Sequence, residues 1–141
     1  MNRGLWDVRF PVSQDETFSI SGNSPKRGSF AVPIRLLKEA VLGQSYRLSI
    51  AFVTEKIIAE LNGRFRGKKE PSDILSFSLS KQSGEIFICF PVLIKKACLR
   101  GETVPKYASF LVIHGLLHLK GYTHGDRMEA QETKFRKQFE I

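Results

Sequence analysis

The chain has 141 residues, of which 42% are hydrophobic and 26% are charged, values typical of one soluble globular domain. It has no uninterrupted run of roughly 18 apolar residues and no signal-peptide core at its N-terminus, so we expect neither a transmembrane helix nor secretion. The formal net charge of +8 favours a polyanionic partner such as nucleic acid. Charge alone does not separate specific from non-specific binding.

The first half of the chain contains alternating strand and helix signals. A partly alternating stretch, residues 5–10, predicts a strand, and the composition of residues 21–28 predicts a loop. A proline start and a glycine stop predict a short helix over residues 33–43. Residues 46–53 alternate as in a strand, and Thr54 is predicted to cap the helix that follows.

The second half predicts a hairpin and three helices. The strands of the hairpin are residues 73–79 and 85–90, joined by a short connection that contains glycine. Pro91 is predicted to begin a helix. A longer helix over residues 105–120 is apolar almost all round, which predicts a central position, and a charged helix runs from Gly125 to the C-terminus.

Together these elements predict an α+β fold in a single domain, residues 1–141, with a small mixed sheet surrounded by helices. The two cysteines, Cys89 and Cys98, are not spaced as a redox or zinc pair. We interpret both as buried thiols in a reducing compartment, which predicts a cytoplasmic protein.

The three histidines of the chain all lie within residues 114–124, HGLLHLKGYTH. His114 and His118 are four residues apart, so a helix places them on one face. Gly121 is predicted to end that helix and to let the chain return His124 to the same point. Three imidazoles with an open fourth position are typical of catalytic zinc, which lowers the pKa of a bound water and polarises a phosphoryl or carbonyl oxygen.

The histidine and glycine spacing also equals that of the metzincin proteases, which suggests an alternative hydrolase function. In that pattern a glutamate, the general base, directly follows the first histidine. Here Gly115 occupies the position, so the protease interpretation lacks its base.

A second cluster of interest is basic. Arg64, Arg66, Lys68 and Lys69 lie within six positions of one another, between a predicted helix and a predicted strand. Arginine suits phosphate because its planar group donates two hydrogen bonds at once. The alternatives are a phosphate clamp beside the metal and a solvated basic loop.

The ordered motifs of the chain resemble the YbeY family of bacterial metal-dependent endoribonucleases from about residue 46 onward. The resemblance is carried by residues 114–124, and by LNGRFRGK at 61–68, PSDILSF at 71–77, GEIFIC at 84–89 and EA at 129–130. Thr123 departs from the family, which usually has aspartate there. The loss of an orienting carboxylate at that position would lower metal affinity.

The resemblance implies one Zn²⁺ or another divalent transition metal held by His114, His118 and His124, on the central helix. It implies cleavage of single-stranded RNA, in maturation of the 3′ end of small-subunit ribosomal RNA and in ribosome quality control. Arg66 aligns with the family's functional arginine. The implied partners are ribosomal RNA, the small ribosomal subunit and assembly factors, with no membrane and no DNA specificity. A non-catalytic ribosome-assembly factor with a structural metal is the alternative.

Overall fold

One mixed sheet organises the fold. The computed structural model describes residues 14–15, 17–22, 32–67 and 72–141. Within these ranges the strands are β1 (Gln14–Asp15), β2 (Phe18–Gly22), β3 (Arg47–Phe52), β4 (Ile74–Ser80) and β5 (Ser83–Ile88). Their order across the sheet is β1-β2-β3-β5-β4. The β2–β3 and β3–β5 pairs are parallel, whereas β1 and β4 run antiparallel to their neighbours at the two edges.

Helices connect and cover these strands, which confirms the predicted α+β class. In the described ranges they are α1 (Ile34–Leu42), α2 (Glu55–Arg66), α3 (Phe90–Leu99), α4 (Val104–Lys120) and α5 (Asp126–Gln138). None of them combines the length and the apolar character needed to cross a bilayer.

The predicted helix boundaries have local causes. Pro33 precedes α1 and Gly43 ends it. The Thr54 hydroxyl accepts a hydrogen bond from the Ile57 backbone N–H at 3.2 Å, which satisfies one of the free donors at the start of α2. The predicted boundaries at Pro33, Gly43 and Thr54 are thus confirmed. They could be predicted because capping depends on residues close together in the chain.

The two faces of the sheet have separate apolar cores. On one face, the buried side chains of α1 and α4 pack against residues such as Ile50 and Ile86. On the other, Ile58 of α2 packs with Leu75 and Cys89. Strand residues alternate between the two faces. The central helix α4 packs on the first of these faces, where Gly115 lies against Ile74 and Ser76 of β4 and Ile86 of β5.

Two sequence interpretations are wrong in part, and a third lies outside the described residues. Ser21 and Gly22 belong to β2, so the loop predicted from residue 21 begins too early. Cys98 is exposed, so the prediction that both thiols are buried is wrong, although Cys89 is buried. The strand predicted over residues 5–10 lies outside the described residues.

Candidate metal centre

Two of the three histidines lie on one face of α4. His114 and His118 are four residues apart, and their rings are 4.6 Å apart between centroids. Thr103 caps the start of α4, and its hydroxyl accepts a hydrogen bond from the Lys106 N–H at 3.3 Å. Ten residues of α4 are buried, while the two histidines are only partly buried. A firmly packed helix thus presents two imidazoles to a cleft.

The turn after α4 brings the third histidine to the same point. Gly121 ends the helix in the left-handed conformation, with φ of 112°, which a residue without a Cβ adopts at no steric cost. The His124 ring then lies 5.4 Å from that of His114 and 5.1 Å from that of His118. One candidate ligand atom from each histidine lies within 4.8 Å of the others. The structure therefore brings together the three residues that the sequence singled out.

Hydrogen bonds that Nδ1 donates orient two of the rings. The Nδ1 atom of His118 lies 3.0 Å from the carbonyl oxygen of Tyr122, which can only accept, so Nδ1 carries the proton. The Nδ1 atom of His114 lies 2.6 Å from Oε2 of Glu132. In neutral imidazoles of this tautomer the two Nε2 atoms, 3.1 Å apart, direct lone pairs toward each other. A cation between them would relieve that repulsion, so the donor set fits a metal ion.

Glu132 was missed by the sequence reasoning. It lies on α5, eighteen residues from His114, and its side chain is 12% exposed. A carboxylate that accepts from the second ring nitrogen fixes the orientation of a metal-binding histidine and makes it a stronger ligand. The exposed Asp126 and Glu129 lie on the same helix, so the sequence alone had no signal that distinguished Glu132.

Gly115 packs directly against the sheet. A Cβ at this position would lie 2.9 Å from Cδ1 of Ile74 and 3.0 Å from Oγ of Ser76. The Ser76 hydroxyl also donates a hydrogen bond to the Gly115 carbonyl at 3.2 Å. Because α4 and β4 approach so closely, a glutamate at position 115 would require the Ile74 and Ser76 side chains to shift. The geometry therefore weighs against the protease alternative.

The histidines open onto a cleft of about 630 Å³ between α4 and β4. Its far end is built by Asp73, Lys96 and Tyr107. The Tyr107 hydroxyl donates to Oδ2 of Asp73 at 2.7 Å, and Nζ of Lys96 lies 3.7 Å from the same oxygen. Burial, and then the hydrogen bond to Asp73, raise the pKa of Tyr107 well above its usual value. The tyrosine is thus a neutral donor near physiological pH.

The basic cluster is placed only in part. Arg64 is exposed on α2, and Arg66 is the last residue of that helix, but the Arg66 side chain, Lys68 and Lys69 lie outside the described residues. The buried Asn62 donates a hydrogen bond to Oγ of Ser72 at 2.7 Å. This bond ties the last third of α2 to Ser72, two residues before β4, and Ser72 itself lines the cleft. Ser72, the first described residue after the basic cluster, therefore lies at the cleft.

Comparisons with known proteins agree with this geometry. The family model described as endoribonuclease YbeY matches residues 15–141. The endoribonuclease YbeY of Shouchella clausii is 35% identical over 121 residues, which cover 74% of this chain and 75% of that protein. The endoribonuclease YbeY of Alteromonas mediterranea is 32% identical over 133 residues, covering 89% and 83% of the two chains. The solution structure of TM1509 from Thermotoga maritima matches with a TM-score of 0.64 and 27% identity, over 88% of this chain and 92% of that one.

Proposed function

Because the chain belongs to the YbeY family of endoribonucleases, we propose that it cleaves single-stranded RNA with a metal ion held by His114, His118 and His124. The observation that carries this proposal is the convergence of the three imidazoles, with one ligand atom from each within 4.8 Å of the others. When bound, the ion would acidify a water molecule and polarise a phosphoryl oxygen.

The surrounding residues hold the ligands in place. Glu132 accepts from His114 and the Tyr122 carbonyl accepts from His118, so the Nε2 atom of each ring is directed toward the shared point. Gly115 allows α4 to pack closely against the sheet, which fixes the position of both histidines relative to β4. Preorganised ligands of this kind need no rearrangement when substrate binds.

The substrate strand would enter the cleft beside the basic segment. Arg66 is the proposed catalytic arginine, stabilising negative charge on the scissile phosphate, and Arg64, Lys68 and Lys69 are proposed to bind the flanking strand. Support for this placement comes from Ser72, which follows the basic segment in the chain, lines the cleft and accepts a hydrogen bond from Asn62 of α2.

In the cell we expect the substrate to be ribosomal RNA, at the 3′ end of the small-subunit molecule, with roles in its maturation and in ribosome quality control. The small ribosomal subunit and assembly factors are the expected partners, in the cytoplasm. We expect one zinc ion per chain and a single domain over residues 1–141. The net charge of +8 supports an RNA partner, and three imidazoles support zinc.

The test is cleavage of a labelled single-stranded RNA by the metal-loaded protein beside an identically purified His114→Ala variant. We expect cleavage only by the unmutated protein, and its loss on chelation. Equal cleavage by both proteins would indicate a contaminating nuclease and contradict the proposal. RNA binding without cleavage by either would favour the alternative, an assembly factor in which the metal stabilises the fold.

The role of Arg66 needs a separate variant. Arg66→Ala should retain the metal affinity of the unmutated protein but cleave RNA more slowly, since it removes a charge that acts on the phosphate. Unchanged cleavage by this variant would remove Arg66 from the mechanism. Arg64→Ala, an exposed position two residues away, is the matched control for the loss of one positive charge.

A further inference from the structure

A row of aromatic rings follows one edge of the cleft along α4. Phe110 lies between Tyr107 and His114, with its ring centroid 6.5 Å from the first and 6.0 Å from the second. Tyr107 and His114 both line the cleft. Phe110 itself is partly buried and does not line the cleft, but it lies one helical turn from the proposed metal ligand His114.

Two guanidinium groups from different elements lie over this ring. The Cζ atom of Arg100, which follows α3, is 5.9 Å from the Phe110 centroid and 5.2 Å from that of Tyr107. The Cζ atom of Arg136, on α5, is 5.4 Å from the Phe110 centroid. Arginine stacks on aromatic faces through its weakly hydrated planar group, so the ring restricts both side chains. Three elements thus present two oriented cations beside the metal centre.

The charges of the two arginines are balanced differently. Nε of Arg100 donates to Oε1 of Glu102 at 2.8 Å, which leaves its other donors available. Arg136 has no carboxylate partner within the part of the chain that the structure describes. Glu132, one turn earlier on α5, accepts from His114 instead. The Nε atom of Arg136 is buried without a hydrogen-bond acceptor among the same residues.

A partly buried guanidinium without a counter-charge is costly for the folded protein, and an anion at the rim would offset that cost. The planar group of arginine matches the oxygens of a phosphate, and stacking on the Phe110 ring restricts each of the two groups. The row from His114 to Phe110 leads away from the metal centre. An anion bound here would therefore be a neighbour of the phosphate under attack.

We infer that Arg136, assisted by Arg100, forms a phosphate-binding subsite for the nucleotide adjacent to the cleavage position. This inference rests on the proposed ribonuclease function and adds to it a contact outside the basic segment near Arg66. Arg136 is the principal residue because its charge is uncompensated, whereas that of Arg100 is shared with Glu102.

The experiment measures binding of a fluorescent single-stranded RNA analogue that resists cleavage to the metal-loaded protein, over a range of salt concentrations. Arg136→Met keeps an unbranched apolar stem on Phe110 but removes the charge. We expect it to weaken RNA binding roughly tenfold, the effect of one charge-assisted hydrogen-bonded contact. The slope of log affinity against log salt should decrease by about 0.7, the contribution of one phosphate in a single strand.

Lys137→Met, which removes the same charge from an exposed neighbour on α5, is the matched control and should change both quantities much less. Arg136→Lys guards against misfolding, because it should restore the salt slope but only part of the affinity. Equal behaviour of Arg136→Met and Lys137→Met, with RNA still bound and cleaved by the unmutated protein, would overturn the subsite alone. Failure of the unmutated protein to bind RNA would overturn both the subsite and the proposed function.

Discussion

Replacing Glu132 should weaken metal binding although Glu132 does not belong to the histidine cluster. Its Oε2 lies 2.6 Å from Nδ1 of His114, and its side chain is only 12% exposed, so solvent screens the interaction weakly. Loss of such a carboxylate costs about ten- to a hundredfold in metal affinity, or about 1.4 to 2.8 kcal/mol. We expect Glu132→Ala near the upper end of this range, because both the charge and the ring orientation are lost.

Glu132→Gln should fall near the lower end. Its amide oxygen can still accept the hydrogen bond from His114, so the ring stays oriented while the negative charge disappears. The difference between the two variants separates the contribution of orientation from that of charge.

The assay is competition for zinc between each variant and a chromophoric chelator, with thermal unfolding of the metal-free proteins to confirm that the fold is intact. Glu129→Ala is the matched control, since Glu129 is exposed one turn earlier on α5. Equal zinc affinities for Glu132→Ala and Glu129→Ala would refute the reasoning that Glu132 orients and strengthens a ligand.

Three further outcomes are expected. Gly115→Ala should lower the free energy of unfolding in urea by about 1 to 3 kcal/mol, because the added methyl group is overpacked against the sheet. Gly63→Ala, on the exposed face of α2, should instead raise it by up to about 1 kcal/mol. Equal effects of the two substitutions would contradict the close approach of α4 to the sheet. Because the pKa of Tyr107 is raised in the folded protein, the unfolded chain loses the phenolic proton at a lower pH than the folded protein does. The free energy of unfolding should therefore decline as pH rises above about 10. The decline should be less steep in Tyr107→Phe than in Tyr122→Phe. Zinc at a hundred times its dissociation constant should stabilise the protein by about 2.7 kcal/mol. The same zinc concentration should not stabilise His118→Ala. Equal stabilisation of that variant would show that the ion binds elsewhere.

Features encoded by neighbouring residues were predictable from the sequence. The caps at Thr54 and Gly43, the helix that carries the histidines and the turn at Gly121 all depend on contacts within a few positions. Strand β2 was not predicted, because it is short and has only two buried apolar side chains, Phe18 and Ile20. Its position beside β3 depends on pairing with residues about thirty positions away.

The candidate site likewise has some features that the sequence shows and others that arise only from tertiary packing. The histidines were found because a metal motif on one helix and its following turn is written in consecutive residues, 114–124. The contacts of Glu132 with His114, and of Asp73 with Tyr107 thirty-four residues away, arise only when separate elements pack against α4. The sequence by itself therefore determined which side chains can bind a metal, since spacing along a helix fixes their common face. Only the tertiary structure decided which carboxylate orients them and why a side chain at position 115 would be crowded, since both depend on the distance between packed elements, which no local pattern records.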